Sequence, residues 1–282
     1  MKQMMIGKRL VPAIGMGTWG LGESISSHAA EKRSLQEGLH LGARVIDTAE
    51  MYGDGLAEQL VGEVIQESKR EDIYLISKFY PWHAGAQQLE ASLHASLKRL
   101  KTDYLDLYLL HWRGNIPLTE TIEILEACKK AGKIKQWGVS NFDIRDMKEL
   151  YQLPQGDKCV TNQVLYNLGS RGIEFDLLPW MKEQQIPLIA YAPVAHGDTL
   201  GANLEKKKIL RQIAGEHNGT VYQILLAWSI HNGTTLAIPK ASQLEHMQDN
   251  MGALNLSLTE NDLKELDRLY PAPKRKLPLA VL

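Results

Sequence analysis

The sequence predicts an α/β protein built as a (β/α)8 TIM barrel, with a β-hairpin in front of the barrel and a short C-terminal tail behind it. Three observations carry that expectation. Short apolar runs rich in β-branched residues alternate with longer segments of helical spacing, the pattern of buried parallel strands covered by helices. The runs RVIDTA (44–49), DIYLISK (72–78), YLDLYLLHW (104–112) and KIKQWGVSN (133–141) end on polar residues at 47, 78, 111 and 141, which lie 31, 33 and 30 positions apart. That interval is the length of one strand–helix unit. The chain has 282 residues, close to the usual size of one barrel, so residues 1–282 read as a single domain.

Taken in order, MMIGKRLVP (4–12) reads as the hairpin, turning at Gly7-Lys8. AIGMGTWG (13–20) supplies the first barrel strand. The four runs above follow, then KCVTNQVLYN (158–167), IPLIAYAP (186–193) and TLAIPK (235–240), which brings the strands to eight. Helical spacing fills 57–67, 86–100, 119–131, 143–152, 176–185 and 206–231. An open doubly wound sheet is the rival architecture, but no second domain and no Pro/Gly-rich linker is visible. The tail YPAPKRKLPLAVL (270–282) is Pro-rich and basic and reads as irregular.

Hydrophobic residues make up 44% of the chain, charged residues 23%, and the net charge is −1. With a pI near 6.8 there is no electrostatic case for nucleic acid or an anionic membrane. The opening MKQMMIGKRLVPAIG has no signal-peptide core, and no run approaches the ~18 apolar residues of a membrane span. A cytoplasmic monomer acting on small molecules is the expectation. Cys128 and Cys159 then read as reduced packing residues. The nine histidines lack metal-ligand spacing, so no metal site is expected, and His94 falls in a helical pattern.

The polar residues at the ends of the apolar runs carry the chemistry. In a barrel of this kind, reactive groups gather where the strands end. Asp47, Lys78, His111, Ser140, Asn141, Gln163, Tyr191 and Lys240 all fall at or near such ends. Each has an ordinary reading taken alone: a turn cap, a snorkelling lysine, a core histidine, a core aromatic. The barrel sends all of them to one rim, and Tyr52 lies five residues beyond Asp47. A phenol ionises near pH 10 and is a weak acid at neutrality. An ammonium at Lys78 would pull that value down, Asp47 would keep the amine charged, and His111 would orient a carbonyl. Such a set protonates a carbonyl oxygen while an external nucleophile attacks the carbon. GMGTWG (15–20) matches G-x-G-x-x-G, but a loop continues through Gly22 and the serines after it, so the match is not read as a dinucleotide fingerprint. Asn141 and Gln163 offer paired amide groups for a carboxamide, Tyr191 a flat face, and Lys240 a charge for a phosphate.

These residues together resemble the aldo-keto reductases, over roughly residues 4 to 270. The motifs are GMGTW, DTAEMYG with EQLVGEVI behind it, ISK, DLYLLHW, GVSNF, NQVLYN, AYAPV and IPKASQLEHMQDN. YLDLYLLHW and TNQVLYNLGSRGIEFDLLPW look most like bacterial members active on methylglyoxal and other small aldehydes. The resemblance implies NADPH (NADP+) lying across the C-terminal rim, without a Rossmann domain. It implies a catalytic tetrad of Asp47, Tyr52, Lys78 and His111, and nicotinamide contacts from Ser140, Asn141 and Gln163, with Tyr191 stacking. Gly17, Thr18, Trp19, Asp47, Pro193 and Val194 would join the cofactor site. Lys240, Ser242, His246, Asp249 and Asn250 would serve the 2′-phosphate and adenine. Trp19, Tyr52, Tyr80, Trp82, His111 and Trp112 would wall the substrate pocket.

The chain departs from the family pattern at four positions. Ala192 stands where the family has a serine, Ala241 replaces the serine after the lysine, His246 replaces an arginine, and Asp249 replaces a glutamate. A neutral histidine lacks the guanidinium's charge and fork, so a narrower preference for NADPH over NADH is expected. Family members with strong steroid selectivity carry long C-terminal loops, whereas only 12 residues follow Tyr270; an open, broadly specific pocket is expected. Two other readings compete: a Schiff-base enzyme using Lys78, and a cofactor-sensing subunit of an ion channel with vestigial turnover.

Overall fold

Period-two alternation in the first residues buries Met4 and Ile6 and exposes Gln3 and Met5. This strand, β1 (Gln3–Ile6), pairs antiparallel with β2 (Arg9–Pro12), Ile6 facing Arg9. The turn between them needs Gly7, whose φ is +55. The architecture is that of a computed structural model, which describes residues 1–195 and 207–282.

The barrel strands are β3 (Met16–Gly17), β4 (Val45–Asp47), β5 (Tyr74–Phe79), β6 (Leu105–Leu110), β7 (Ile134–Ser140), β8 (Asn162–Leu165), β9 (Leu188–Tyr191) and β10 (Thr235–Ala237). They lie in sequence order, and every neighbouring pair is parallel. Parallel bridges Ile14–Ala237 and Gly17–Lys240 join the first strand region to the last and close the barrel. Closure demands glycine at 17, because a Cβ there would stand 2.7 Å from the Ile238 carbonyl oxygen. All six residues of β5 and of β6 are buried, which is why those runs are mostly apolar rather than alternating, with Ser77, Lys78 and Asp106 as buried polar exceptions.

Ten helices lie among the described residues: α1 (Ile25–His40), α2 (Leu56–Gln66), α3 (Leu89–Leu100), α4 (Leu118–Lys130), α5 (Ile144–Gln152), α6 (Leu177–Glu183), α7 (Lys208–Glu216), α8 (Val221–Ser229), α9 (Leu244–Gly252) and α10 (Glu260–Leu269). Helices α1, α9 and α10 lie outside the segments of helical spacing, and one of those segments divides in two. The stretch after Gly22 was expected to stay a loop, yet α1 begins at Ile25. Its buried face is Glu31, Ser34, Leu35 and Gly38, so it carries almost no hydrophobic period. Polar bonds hold it instead: Glu31 accepts from the Gly22 amide at 2.8 Å, and Ser34 donates to the carbonyls of Ala241 and Gln243. The segment 206–231, whose first residue lies outside the described residues, is two helices rather than one. Asn218 takes a left-handed φ of +51, and Thr220 then opens α8 with a reciprocal cap to Gln223. The added helix α7 packs on α10.

The hairpin sits at the strands' N-terminal ends. Arg9 and Arg70 both bond the carboxylate of Asp106 at the start of β6, at 3.2 and 2.9 Å, and Asp106 also accepts from the Leu75 amide at 3.0 Å. That leaves the opposite end of the barrel for chemistry. Among the described residues, no helix is long and apolar enough to cross a membrane, and no group of three His, Cys, Asp or Glu is placed to hold a metal ion. Cys128 and Cys159 are buried, and burial pushes their thiols up to about 11 and about 12.

Asp106 binds hairpin, Arg70 and β5 in one buried carboxylate. Asp106→Ala is therefore expected to lower stability by about 3 kcal/mol, read from the urea midpoint; an unchanged midpoint would contradict the role.

Candidate active site

β4 ends on Asp47, and a four-residue loop delivers Tyr52 into the turn Tyr52–Gly55. That turn holds three consecutive left-handed residues, Gly53, Asp54 and Gly55, with φ of 56, 52 and 88. Glycine, and less readily aspartate, tolerates that region, which explains the sequence YGDG. The chain reverses at once into α2, so the phenol is carried on a turn with little freedom.

Lys78, near the end of β5, is wholly buried, and its three ammonium protons have three acceptors. They are Asp47 Oδ1 at 2.6 Å, the Thr48 carbonyl at 2.9 Å and the Tyr52 hydroxyl oxygen at 2.9 Å. Asp47 is also buried, and its second oxygen accepts from Gln163 Nε2 at 2.7 Å. Burial opposes the charge on Lys78, but Asp47 and Tyr52 together outweigh it and hold the amine above its ordinary value. Lys78 stays an ammonium with no lone pair to offer, which removes the Schiff-base reading. The phenol behaves differently from the sequence expectation. Burial raises Tyr52 more than Lys78 lowers it, and Asp47 adds to the rise. Desolvation thus outweighs the lysine, and Tyr52 remains protonated.

His111 follows β6, its ring edge-on to Tyr52 at 5.9 Å between centroids. Burial, aided by the charge on Lys78, pushes its imidazole down to about 2. Its Nδ1 is buried without a partner among the described residues. A stranded N–H costs more than a stranded lone pair, so the proton belongs on Nε2, where it can be donated.

Beside this group runs a polar ledge. Ser140 donates to the Gln163 carbonyl at 2.8 Å, Asn141 donates to the His111 carbonyl at 3.1 Å, and the Tyr191 hydroxyl donates to Asn141 Oδ1 at 2.9 Å. Asn141 has φ +57, which asparagine accepts, and this turns its amide back over the barrel mouth.

A cavity of about 250 Å³ opens between the ledge and the phenol. Asp47, Tyr52, His111, Ser140, Asn141, Gln163 and Tyr191 all line it, as do Gly17, Thr18, Trp19, Trp112, Pro193, Val194 and Lys240. Lys78 lies behind the wall. Tyr80 and Trp82 do not line the cavity. They stack on each other at 4.3 Å and sit edge-on to Trp112 from outside. Ser242, His246, Asp249 and Asn250 fall outside it too, on α9 and the loop before it. The Asp249 carboxylate is engaged by the Thr220 hydroxyl at 2.8 Å.

Several lining residues were not singled out in the sequence: Met51, Ala195, Ile238, Pro239 and Leu282. The first, third and fourth sit inside quoted motifs. Ala192, treated only as a lost hydroxyl, lines the cavity with a left-handed φ of +46. Leu282 carries no sequence signal, yet it lines the cavity from the tail. Lys276 bridges Asp143 and Asp176 at 2.5 and 3.0 Å, and these aspartates cap α5 and α6. The tail so anchored runs back to the cavity mouth.

Comparison with known proteins gives concordant matches. The sequence model of the aldo/keto reductase family matches residues 13–271. Methylglyoxal reductase YeaE of Escherichia coli strain K12 is 50% identical over 282 residues, covering 99% of each chain. Glyoxal reductase of Bacillus subtilis strain 168 is 33% identical, covering 92% of this chain and 89% of its own. A crystal structure of an aldo/keto reductase from Klebsiella pneumoniae in complex with NADP and acetate superposes with a TM-score of 0.97 at 48% identity, covering 100% of this chain and 99% of the other.

The buried imidazole has a consequence for stability. In the unfolded chain it takes up a proton below its ordinary 6.5, whereas in the fold it does so only near 2. The unfolded state binds more protons across that window, so this group costs nothing above it and destabilises progressively as the pH falls through it. His111→Gln is expected to lose less stability than the parent between about pH 7.5 and pH 5, measured by urea midpoints. Parallel losses in both proteins would contradict the neutral imidazole.

Proposed function

The chain belongs to the aldo/keto reductase family, and on that premise we propose that it reduces small aldehydes and ketoaldehydes to alcohols with NADPH, Tyr52 acting as the general acid. One observation carries the assignment of the acid. The Tyr52 oxygen accepts a hydrogen bond from Lys78, whose other two donors are taken, so the phenol's own proton is left for an acceptor in the cavity.

The residues of the cavity fit a nicotinamide cofactor. Ser140, Asn141 and Gln163 present side-chain hydroxyl and amide groups on the wall beside the phenol, and Tyr191 presents a ring on the same side. When bound there, NADPH supplies the hydride. The chain's own groups do the rest. His111, neutral and donating from Nε2, hydrogen-bonds the carbonyl oxygen and fixes its orientation. Tyr52 gives that oxygen its proton as negative charge develops on it. Lys78 stabilises the phenolate so formed by the short bond it already makes. Asp47 keeps Lys78 charged, and Gln163 holds Asp47. Trp19 and Trp112 supply apolar surface for the remainder of the substrate. The methylglyoxal and glyoxal reductases among the relatives support short aldehydes and ketoaldehydes as the substrate class. The indoles of Trp19 and Trp112 on the cavity wall extend the proposal to aromatic aldehydes.

Tyr52→Phe is expected to lower kcat by about 10²–10⁴-fold while NADPH affinity, followed by fluorescence, stays nearly unchanged. Loss of NADPH binding in step with activity would make Tyr52 a structural residue instead. With His246 in place of an arginine, kcat/KM is still expected to favour NADPH over NADH, and an equal or higher value with NADH would overturn the role given to Lys240 and its neighbours.

A further inference from the structure

Glu50 lies between Asp47 and Tyr52, is 8% exposed, and sends its side-chain hydrogen bonds away from Asp47, Tyr52, Lys78 and His111. Its carboxylate is nonetheless fully engaged. Oε1 accepts from the Tyr80 amide at 2.6 Å and pairs with His83 Nδ1 at 2.8 Å, and Oε2 accepts from the Ser92 hydroxyl at 2.5 Å. The Ser92 oxygen lies 3.2 Å from the Tyr108 hydroxyl. The Glu50 amide donates to the Lys78 carbonyl at 3.1 Å. One buried side chain thus ties the loop carrying the phenol to the turn Pro81–His83 and to α3.

That turn carries the aromatic stack. Trp82 lies on Tyr80 at 4.3 Å with ring planes 17° apart, and both meet Trp112 edge-on at 5.8 and 6.0 Å. Trp112 in turn lies 5.0 Å from His111 and faces the cavity. Tyr80 and Trp82 have no direct place in the cavity wall, and Trp82 is 57% exposed, so packing from outside does not fix them. The bonds from Glu50 do.

We propose that Glu50 is a positioning residue for the carbonyl substrate. Its carboxylate sets the Tyr80–His83 turn, the turn sets the Tyr80–Trp82 stack, and the stack sets the Trp112 face against which the substrate lies beside His111. This rests on the reductase reading of the cavity. Removing the carboxylate strands the Tyr80 amide, leaves the Ser92 hydroxyl only the Tyr108 hydroxyl, and releases the turn, while every bond among Lys78, Asp47, Tyr52 and Gln163 remains.

The test is steady-state kinetics of Glu50→Ala, Glu50→Gln and Ser92→Ala, with methylglyoxal and an aromatic aldehyde as probes, alongside NADPH titration and near-ultraviolet circular dichroism. Glu50→Ala is expected to raise KM about ten-fold or more for the aromatic aldehyde and less for methylglyoxal. Its kcat and NADPH affinity should change little, and the aromatic dichroism band lost in Trp82→Phe should weaken. Glu50→Gln keeps an acceptor for the Tyr80 amide and should recover most of the KM. If Glu50→Ala is insoluble, Ser92→Ala should show the same split in smaller measure. Unchanged KM and an unchanged band overturn the proposal, as does a fall in kcat alone or a matching fall in NADPH affinity. A parent protein without aldehyde turnover overturns the reductase reading and the substrate role of Glu50 with it, and the dichroism then reports separately whether Glu50 sets the stack.

Discussion

The arrangement at the barrel mouth depends on a buried ammonium. Taking Lys78 wholly out of water is costly unless every proton finds an oxygen and a counter-charge is at hand. Both conditions are met, by a carboxylate, a carbonyl and a phenol from the single stretch Asp47–Tyr52. The carboxylate needs its own support, which comes from Gln163 on β8, across the barrel from β4. One desolvated charge therefore couples β4, β5, β8 and the turn at Tyr52, and any ligand meets a site already assembled.

Electrostatics then divides the roles. The site is desolvated, and burial is the first cause at both Tyr52 and His111, with Lys78 opposing it at the phenol and adding to it at the imidazole. A phenol there keeps its proton and an imidazole refuses one. Two neutral donors thus face the same volume, the condition for grasping a carbonyl oxygen before charge develops on it. The ledge of Ser140, Asn141 and Tyr191 is satisfied internally. A carboxamide held on the proposed ledge would exchange bonds with these groups rather than add to them, so its polar contacts would govern orientation more than affinity.

Much of the barrel was legible because strand ends and helix spacing are local properties. RVIDTA, DIYLISK and YLDLYLLHW are apolar because both of their faces are covered, and each yields to a polar residue where the strand reaches the rim. The features that escaped are those whose cause is not periodic. Helix α1 buries Glu31, Ser34 and Gly38, and Gly38 is small because a Cβ there would meet the Met16 sulfur at 2.2 Å. The break at 217–220 rests on a two-residue signal, Asn218-Gly219, inside an otherwise helical stretch. Tyr80 and Trp82 were assigned to the pocket by the family resemblance, but they do not line the cavity here, and they pack on Trp112 instead.

The sequence by itself determined the order of strands and helices, the residue types at each strand end and the chemical kinds available at the rim, because these follow from periodicity and from the preferences of single side chains. Only the tertiary structure decided which way the Tyr52 equilibrium leans, that Leu282 returns to the cavity, and that a glutamate beside the tetrad turns away to hold an aromatic turn. Those outcomes depend on burial and on partners 26 to more than 100 positions distant, as in the Lys78–Tyr52 and Gln163–Asp47 bonds. No local pattern encodes the balance between desolvation and opposing charge that such meetings create.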